Sequence, residues 1–139
     1  MANEFARNIQ DASVNPVAFA LPNAASTSTN STAIDLGAAV YRNENYELEL
    51  AIPALSTTIA PDTRTVTLIV ETSTASNFAT IVRQILNVVL TGAGGVGIPA
   101  SVYRCRIPSD CERYVRFKVT FGASTTDGSA LNATGTVRF

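Results

Sequence analysis

Three stretches of the chain alternate between apolar and polar residues, which is the pattern of strands with one buried and one solvated face. They are residues 46–52, which Pro53 ends, residues 65–72 and residues 114–121. We expect Glu47, Glu49 and Glu71 to face solvent. The positions expected to face the core are Tyr46, Leu48, Leu50, Ile52, Val66, Leu68, Val70, Val115, Phe117, Val119 and Phe121.

Four further segments have strand-like composition: residues 34–36, 81–90, 102–107 and 134–139. Residues 81–90 also fit helical spacing, so a helix stays open there, although their β-branched content favours a strand. About seven or eight short strands separated by turn residues predict an all-β fold, an antiparallel β-sandwich of the jelly-roll type. An immunoglobulin-like sandwich is the competing architecture, but the chain lacks Trp, the hallmark core residue of that fold.

The first 32 residues differ from the rest, because a polar tract of Ser, Thr and Asn follows isolated apolar residues. We therefore divide the chain into an extended N-terminal arm, residues 1–32, and a β domain, residues 33–139. Ordering about thirty residues costs on the order of 30 kcal/mol in backbone entropy, so we expect the arm to gain order only on a large partner. Its candidate anchors are Phe5, Ile9, Val14, Val17, Phe19 and Leu21.

The composition removes several classes of function. The chain has no His, so neither a Ser-His-Asp nor a Cys-His unit can be assembled within it. Two Cys without His do not complete a typical closed zinc site. We therefore predict no catalysis, cofactor or metal. A formal net charge of -1 lacks the basic excess of nucleic-acid-binding proteins, so nucleic acid is not an expected partner.

The first residues lack the apolar run of a secretory signal, and no stretch reaches the roughly 18 apolar residues of a spanning helix. We expect synthesis in the cytoplasm and no membrane partner. In that reducing compartment Cys105 and Cys111 are expected to stay reduced, with a disulfide after release from the cell as the alternative.

Gly92, Gly94 and Gly97 fit the G-x-G-x-x-G spacing of dinucleotide-binding loops. That function needs a helix opening at the glycines, so that backbone amides face a pyrophosphate. Residues 102–107, which follow, are instead a predicted strand. The glycines therefore indicate a loop between strands.

Arg104, Arg106, Arg113 and Arg116 lie close in sequence and are predicted to form a guanidinium-rich patch on one edge. Nine of the ten basic residues are Arg, and the planar guanidinium suits ion pairing at interfaces. At least one of the four is thus a candidate intersubunit contact, with a solvated strand face as the alternative. Tyr41, Tyr46, Tyr103 and Tyr114 could form a sugar-binding platform, although packing is the default for tyrosine.

Several motifs occur together in one order along the chain. They are Ser28-Thr29-Asn30, Ile34-Asp35-Leu36-Gly37, residues 66–72, Ser76-Asn77-Phe78, Ile107-Pro108 and Glu112-Arg113-Tyr114-Val115-Arg116. In this order they resemble the Bbp16-like capsid cement proteins of tailed bacteriophages. The resemblance covers about residues 26–133. Cys111 stands where the family usually has Gly or another small residue, and the N-terminal arm looks longer than usual.

The resemblance implies a jelly-roll structural protein without catalysis, on the outer capsid surface of the virion. Its implied partners are the major capsid protein and other copies of itself, with a dimer favoured and a trimer possible. A carbohydrate-binding adhesion module that uses the loop at 91–99 is the alternative. The residues predicted to contact a partner are Phe5, Arg7, Ile9, Val17, Phe19, Leu21, Arg104, Arg106, Arg113 and Arg116.

Overall fold

A computed structural model of the chain describes residues 16–37, 47–81 and 83–138, and every regular element in these ranges is a β-strand. Tyr46, Val82 and Phe139, which belonged to predicted strands, lie outside the described residues. The nine strands are β1 (Val17–Ala20), β2 (Ser28–Asn30), β3 (Ile34–Asp35), β4 (Glu47–Ile52), β5 (Thr65–Ser73), β6 (Arg83–Thr91), β7 (Ser101–Arg106), β8 (Tyr114–Phe121) and β9 (Asn132–Arg138).

The strands form two antiparallel sheets that face each other as a β-sandwich. Sheet A has the order β1-β9-β4-β7, and sheet B has the order β2-β8-β5-β6, with β3 also paired to β8. The predicted all-β sandwich is thus confirmed. So is the strand within 81–90, because β6 pairs with β5 along its length, with a β-bulge opposite Val70 and Glu71.

The core lies between the inner faces of the two sheets. The alternating apolar residues of β4, β5 and β8 point into it as predicted, and all of them are buried. Phe117 of β8 packs so closely on β9 that a Cβ atom at Gly135 would overlap its ring. A glycine inside a strand often marks such a close approach.

The predicted boundary between residues 32 and 33 is wrong. β1 pairs with β9, and β2 pairs with β8, so both sheets include residues assigned to the arm. Val17, Phe19 and Leu21 are buried, and the Leu21 amide donates a hydrogen bond of 2.9 Å to the Leu131 carbonyl. Residues 1–15 are the part of the predicted arm that lies outside the described residues.

The two sides of the sandwich differ in how completely they cover the core. On one side β1 contacts β2, and the inward apolar side chains there, Val17 and Phe19 of β1 and Ile34 of β3, are buried. On the opposite side the edge strands are β6 and β7. Their core-facing side chains pack against the core but are only partly buried: Leu86, Val88, Leu90, Tyr103 and Cys105.

Candidate interaction surface

Sheet A holds a carboxylate between two guanidinium groups from neighbouring strands. Glu49 of β4 accepts hydrogen bonds from Arg104 Nε of β7 at 2.7 Å and from Arg138 Nη2 of β9 at 2.9 Å. The hydrogen bond from Arg138 lowers the pKa of Glu49 most, and the hydrogen bond from Arg104 is the next largest cause. Glu49 was expected to face solvent, but it is buried because these side chains flank it.

This arrangement gives the stability a pH dependence. Because folding lowers the pKa of Glu49, its ion pairs stabilise the folded state above the ordinary glutamate pKa. That contribution is lost as the pH falls through the lowered pKa. We expect Glu49→Gln to lower the free energy of unfolding by about 1 kcal/mol at about pH 7, and the difference from wild type to shrink below about pH 4. Urea titrations monitored by far-UV circular dichroism at several pH values measure this difference.

Glu47→Gln is the matched control, because Glu47 lies on the same face of β4 but makes no ion pair with the described residues. We expect the control to change the free energy of unfolding less at about pH 7. An equal loss from both variants, or a Glu49→Gln effect that is constant with pH, would contradict the assignment.

Sheet B holds a second carboxylate between basic side chains. Glu71 of β5 is 1% exposed, although the sequence predicted that it faces solvent. Its carboxylate lies 2.8 Å from Arg116 Nη2 and 3.3 Å from Lys118 Nζ, both on β8. The Arg116 guanidinium also lies over the Phe78 ring, 4.4 Å from its centroid. Neighbouring charges and an aromatic ring therefore explain the burial of Glu71.

Asp35 of β3 is joined to Arg113, just before β8, by a two-point ion pair. Arg113 Nε and Nη2 donate to the two carboxylate oxygens at 2.8 and 2.7 Å. The Gly37 amide donates to the same carboxylate at 2.8 Å, and Arg113 lies 5.2 Å from the centroid of the Tyr114 ring. Paired charge-assisted bonds of this geometry are the stronger kind of ion pair, so they fasten β3 to the start of β8.

The four arginines of the predicted patch are not brought together. Arg104 and Arg106 lie on β7 in sheet A, whereas Arg113 and Arg116 lie at β8 in sheet B. Three of the four form ion pairs within the chain. Arg106 is exposed and makes no ion pair with the described residues. The predicted single patch is therefore wrong, and Arg106 is the one of the four without a charge partner in the described part of the chain.

Three predicted contact residues from the arm belong to the core instead. Val17, Phe19 and Leu21 are buried between the sheets, so in the folded domain they cannot also contact a partner. Phe5, Arg7 and Ile9 lie outside the described residues. Among the apolar and basic contacts predicted for the arm, only these three stay open to a partner role.

The glycine-rich segment forms a tight turn between β6 and β7. Gly94, Gly95 and Gly97 have positive φ, and the Gly95 amide donates to the Asp62 carboxylate at 2.9 Å. A strand follows the turn, as predicted, rather than the helix that a phosphate site requires. Because Asp62 already occupies the Gly95 amide, this amide does not face an open anion site.

Cys105 and Cys111 are not joined by a disulfide. Burial, and then the neighbouring Cys111, raise the pKa of Cys105 to about 11. The reactive form of cysteine is the thiolate, so Cys105 is a poor nucleophile at neutral pH.

The predicted tyrosine platform is not assembled from the two tyrosines that the structure describes. Tyr103 of β7 packs against the core in sheet A, whereas Tyr114 of β8 lies in sheet B beside Arg113. Tyr41 and Tyr46 lie outside the described residues. The described tyrosines therefore pack separately.

A group of exposed apolar residues was missed in the sequence. Val89 of β6 is 58% exposed and Val102 of β7 is 55% exposed, next to the partly buried residues of the same two edges. The available signal was that residues 85–90 are apolar at nearly every position, as in an edge strand with apolar residues on both faces. Taken for secondary structure alone, this pattern predicts a strand or a helix and does not show that one apolar face stays exposed.

Comparison with family models, with curated proteins and with solved structures found no match. The described residues contain no group of three or more Cys, Asp or Glu side chains that could hold a metal ion. They also form no helix long and apolar enough to cross a membrane.

Proposed function

We propose that this protein is a capsid cement protein, which binds the outer surface of a phage capsid and stabilises contacts between major capsid protein subunits. Support comes from where the motifs that resemble the cement family lie in the fold. Ser28 bonds Thr120, Asp35 pairs with Arg113, and Glu71 pairs with Arg116, across 92, 78 and 45 residues of sequence. Motifs that are distant along the chain thus meet around β8, as expected if the family preserves one structural unit.

We also infer that the sandwich is a jelly roll. Eight strand positions, with β2 and β3 sharing one beside β8, form two four-stranded sheets in which consecutive strands mostly change sheet. This is the kind of arrangement that two Greek keys wound together produce. Such a fold leaves the outer faces and edges of both sheets available to partners.

The ion pairs around β8 have a consequence for the binding mode. Arg113 and Arg116 pair with Asp35 and Glu71 within the domain, so the resemblance motifs that contain them maintain the fold more than they contact a capsid. Arg104 lies outside those motifs and is likewise engaged within the domain, by Glu49 of sheet A. The contacts left for the major capsid protein are Phe5, Arg7 and Ile9, with Arg106 on the domain. Several weak contacts made by one linked chain bind more tightly together than any of them does alone.

Removing residues 1–15 tests this binding mode. We expect the shortened chain to fold, because every described strand remains. We expect its occupancy on capsid particles to fall by about tenfold or more, since apolar anchors contribute roughly 1.5–3 kcal/mol each when buried. Co-sedimentation with purified particles lacking the wild-type protein measures occupancy, and thermal denaturation monitors folding.

The full-length variant Phe5→Ser with Ile9→Ser should reproduce the loss, while its control, Asn3→Ser with Asn8→Ser, should bind as wild type does. Unchanged occupancy after removal of residues 1–15 would refute a role of this segment in capsid binding. A cement role also requires the protein in purified virions at a stoichiometry comparable to that of the major capsid protein, and a few copies per virion would refute it.

A further inference from the structure

Strand β6 forms an unusual edge of the sandwich. Sheet B ends at β6, so one side of this nine-residue strand makes no ladder within the described sandwich. Residues 84–91 contain no charge, proline or glycine. Proteins normally protect sheet edges with short strands, charges or proline.

The other three edges carry such protection. β1 has four residues, β2 and β3 have three and two, and the six-residue β7 carries Arg104 and Arg106. In β6 the charge of Arg83 and the bulge are both confined to the end where the strand starts. The remainder of β6 is therefore the long, uncharged edge.

The side chains of β6 also leave apolar surface uncovered. Leu86, Val88 and Leu90 face the core but are only partly buried, whereas Val66 and Leu68 on the neighbouring β5 are fully buried. Val89 points to the other face and is 58% exposed. An additional strand beside β6 would cover these residues and would use the hydrogen-bonding groups on the unpaired side of the strand.

The order of the apolar side chains along β6 indicates which strand would pair with it, namely β6 of a second copy. The core-facing side chains of β6 are arranged symmetrically about Val88, with a leucine two residues before it and another two residues after it: Leu86 and Leu90. In an antiparallel pair, residues that lie opposite each other point to the same face of the sheet. A two-fold axis through Val88 therefore places Leu86 opposite Leu90 of the second copy. The three apolar side chains of one copy then contact the same three side chains of the other copy.

We propose that β6 is a dimer interface, in which β6 of a second copy pairs antiparallel about Val88 and joins the two sheets B into one. The neutral residues 84–91 bring no like charges together in this arrangement. The inference rests on the proposed function and deepens it, because the resemblance to cement proteins implies a homo-oligomer and β6 is the surface through which its copies would associate. Dimerisation in solution is measured without capsids, so the two proposals can fail separately.

Val89→Lys tests the interface, because Val89 is exposed in a single copy and its replacement should leave the domain folded. Multi-angle light scattering and sedimentation should show a dimer for wild type at concentrations on the order of 10–100 µM. We expect Val89→Lys to raise the dissociation constant by about tenfold or more, since symmetry introduces the charge twice. The control Val96→Lys replaces a valine that is 75% exposed outside the strands, and it should dimerise as wild type does.

A charge rescue tests the register. The Val88 axis places residue 89 opposite residue 87 of the second copy, so Asn87→Glu combined with Val89→Lys forms two ion pairs across the interface. We expect the double variant to recover most of the affinity that Val89→Lys loses. A monomeric wild type, or a Val89→Lys dimer as stable as wild type, would overturn the interface. A double variant no tighter than Val89→Lys would overturn the Val88 register.

Discussion

A chain that begins at residue 33 is expected not to form a cooperatively folded domain. It lacks β1 and β2, which form the edges of sheets A and B, and with them the buried side chains of Val17, Phe19 and Leu21. Removing a buried Leu or Phe side chain costs about 2–5 kcal/mol, and a typical domain is stable by only about 5–15 kcal/mol. The summed loss is thus comparable with the whole stability.

The same truncation removes a polar contact that the core depends on. Ser31, between β2 and β3, accepts a hydrogen bond from the Phe117 amide through its side chain at 3.0 Å. Its own amide donates to the Phe117 carbonyl at 2.8 Å. Without residue 31, the buried amide and carbonyl of Phe117 both lose these partners, which adds to the cost.

Far-UV circular dichroism and thermal denaturation measure the outcome, and a chain that begins at Pro16 is the length control. We expect the control to show a cooperative transition and the shorter chain to show none. The full-length triple variant Val17→Ala, Phe19→Ala and Leu21→Ala separates the side-chain contribution from the shortening, and it should be strongly destabilised. A cooperative transition at the same temperature in both truncated chains would mean that the folded domain does begin at residue 33, as the sequence predicted.

The misplaced boundary shows where sequence patterns fail. β4, β5 and β8 were predictable because their buried and solvated faces differ sharply in polarity. In β1, Ala18 and Ala20 separate the buried Val17, Phe19 and Leu21. Alanine does not contrast with its apolar neighbours as a polar residue does, so the period of two was hidden. The polar residues that follow then suggested an arm.

The predictions for the charged residues were wrong for a different reason. Glu49 and Glu71 were assigned to solvent from alternation, which gives the face of a strand but not what covers that face. Basic side chains of neighbouring strands cover both carboxylates, and strand neighbours are set by topology. Likewise Arg106 and Arg113 are close in sequence but lie at different sheets, because the chain changes sheet between them.

Gly135→Val is expected to destabilise the domain by about 3 kcal/mol or more. Gly135 pairs with Val17 of β1 and with Leu50 of β4, so β9 is held on both sides at this position. A Cβ at residue 135 would overlap the Phe117 ring, which is fully buried. Overfilling a packed core forces side chains off their preferred rotamers or shifts the backbone, at about 1–3 kcal/mol and occasionally more.

Thr136→Val is the matched control, because it introduces the same side chain at the next position of β9, and we expect a change within about 0.5 kcal/mol. The double variant Phe117→Leu with Gly135→Val identifies the cause. If the Phe117 ring is what the new side chain strikes, the smaller residue relieves the overlap, and the double variant is more stable than the sum of the single changes predicts by about 1 kcal/mol or more. Urea unfolding of the wild type, the single variants Phe117→Leu and Gly135→Val, and the double variant gives this coupling energy. Simple additivity would mean that the cost arises elsewhere in β9, and the contact between the two sheets at Gly135 would then not require a glycine.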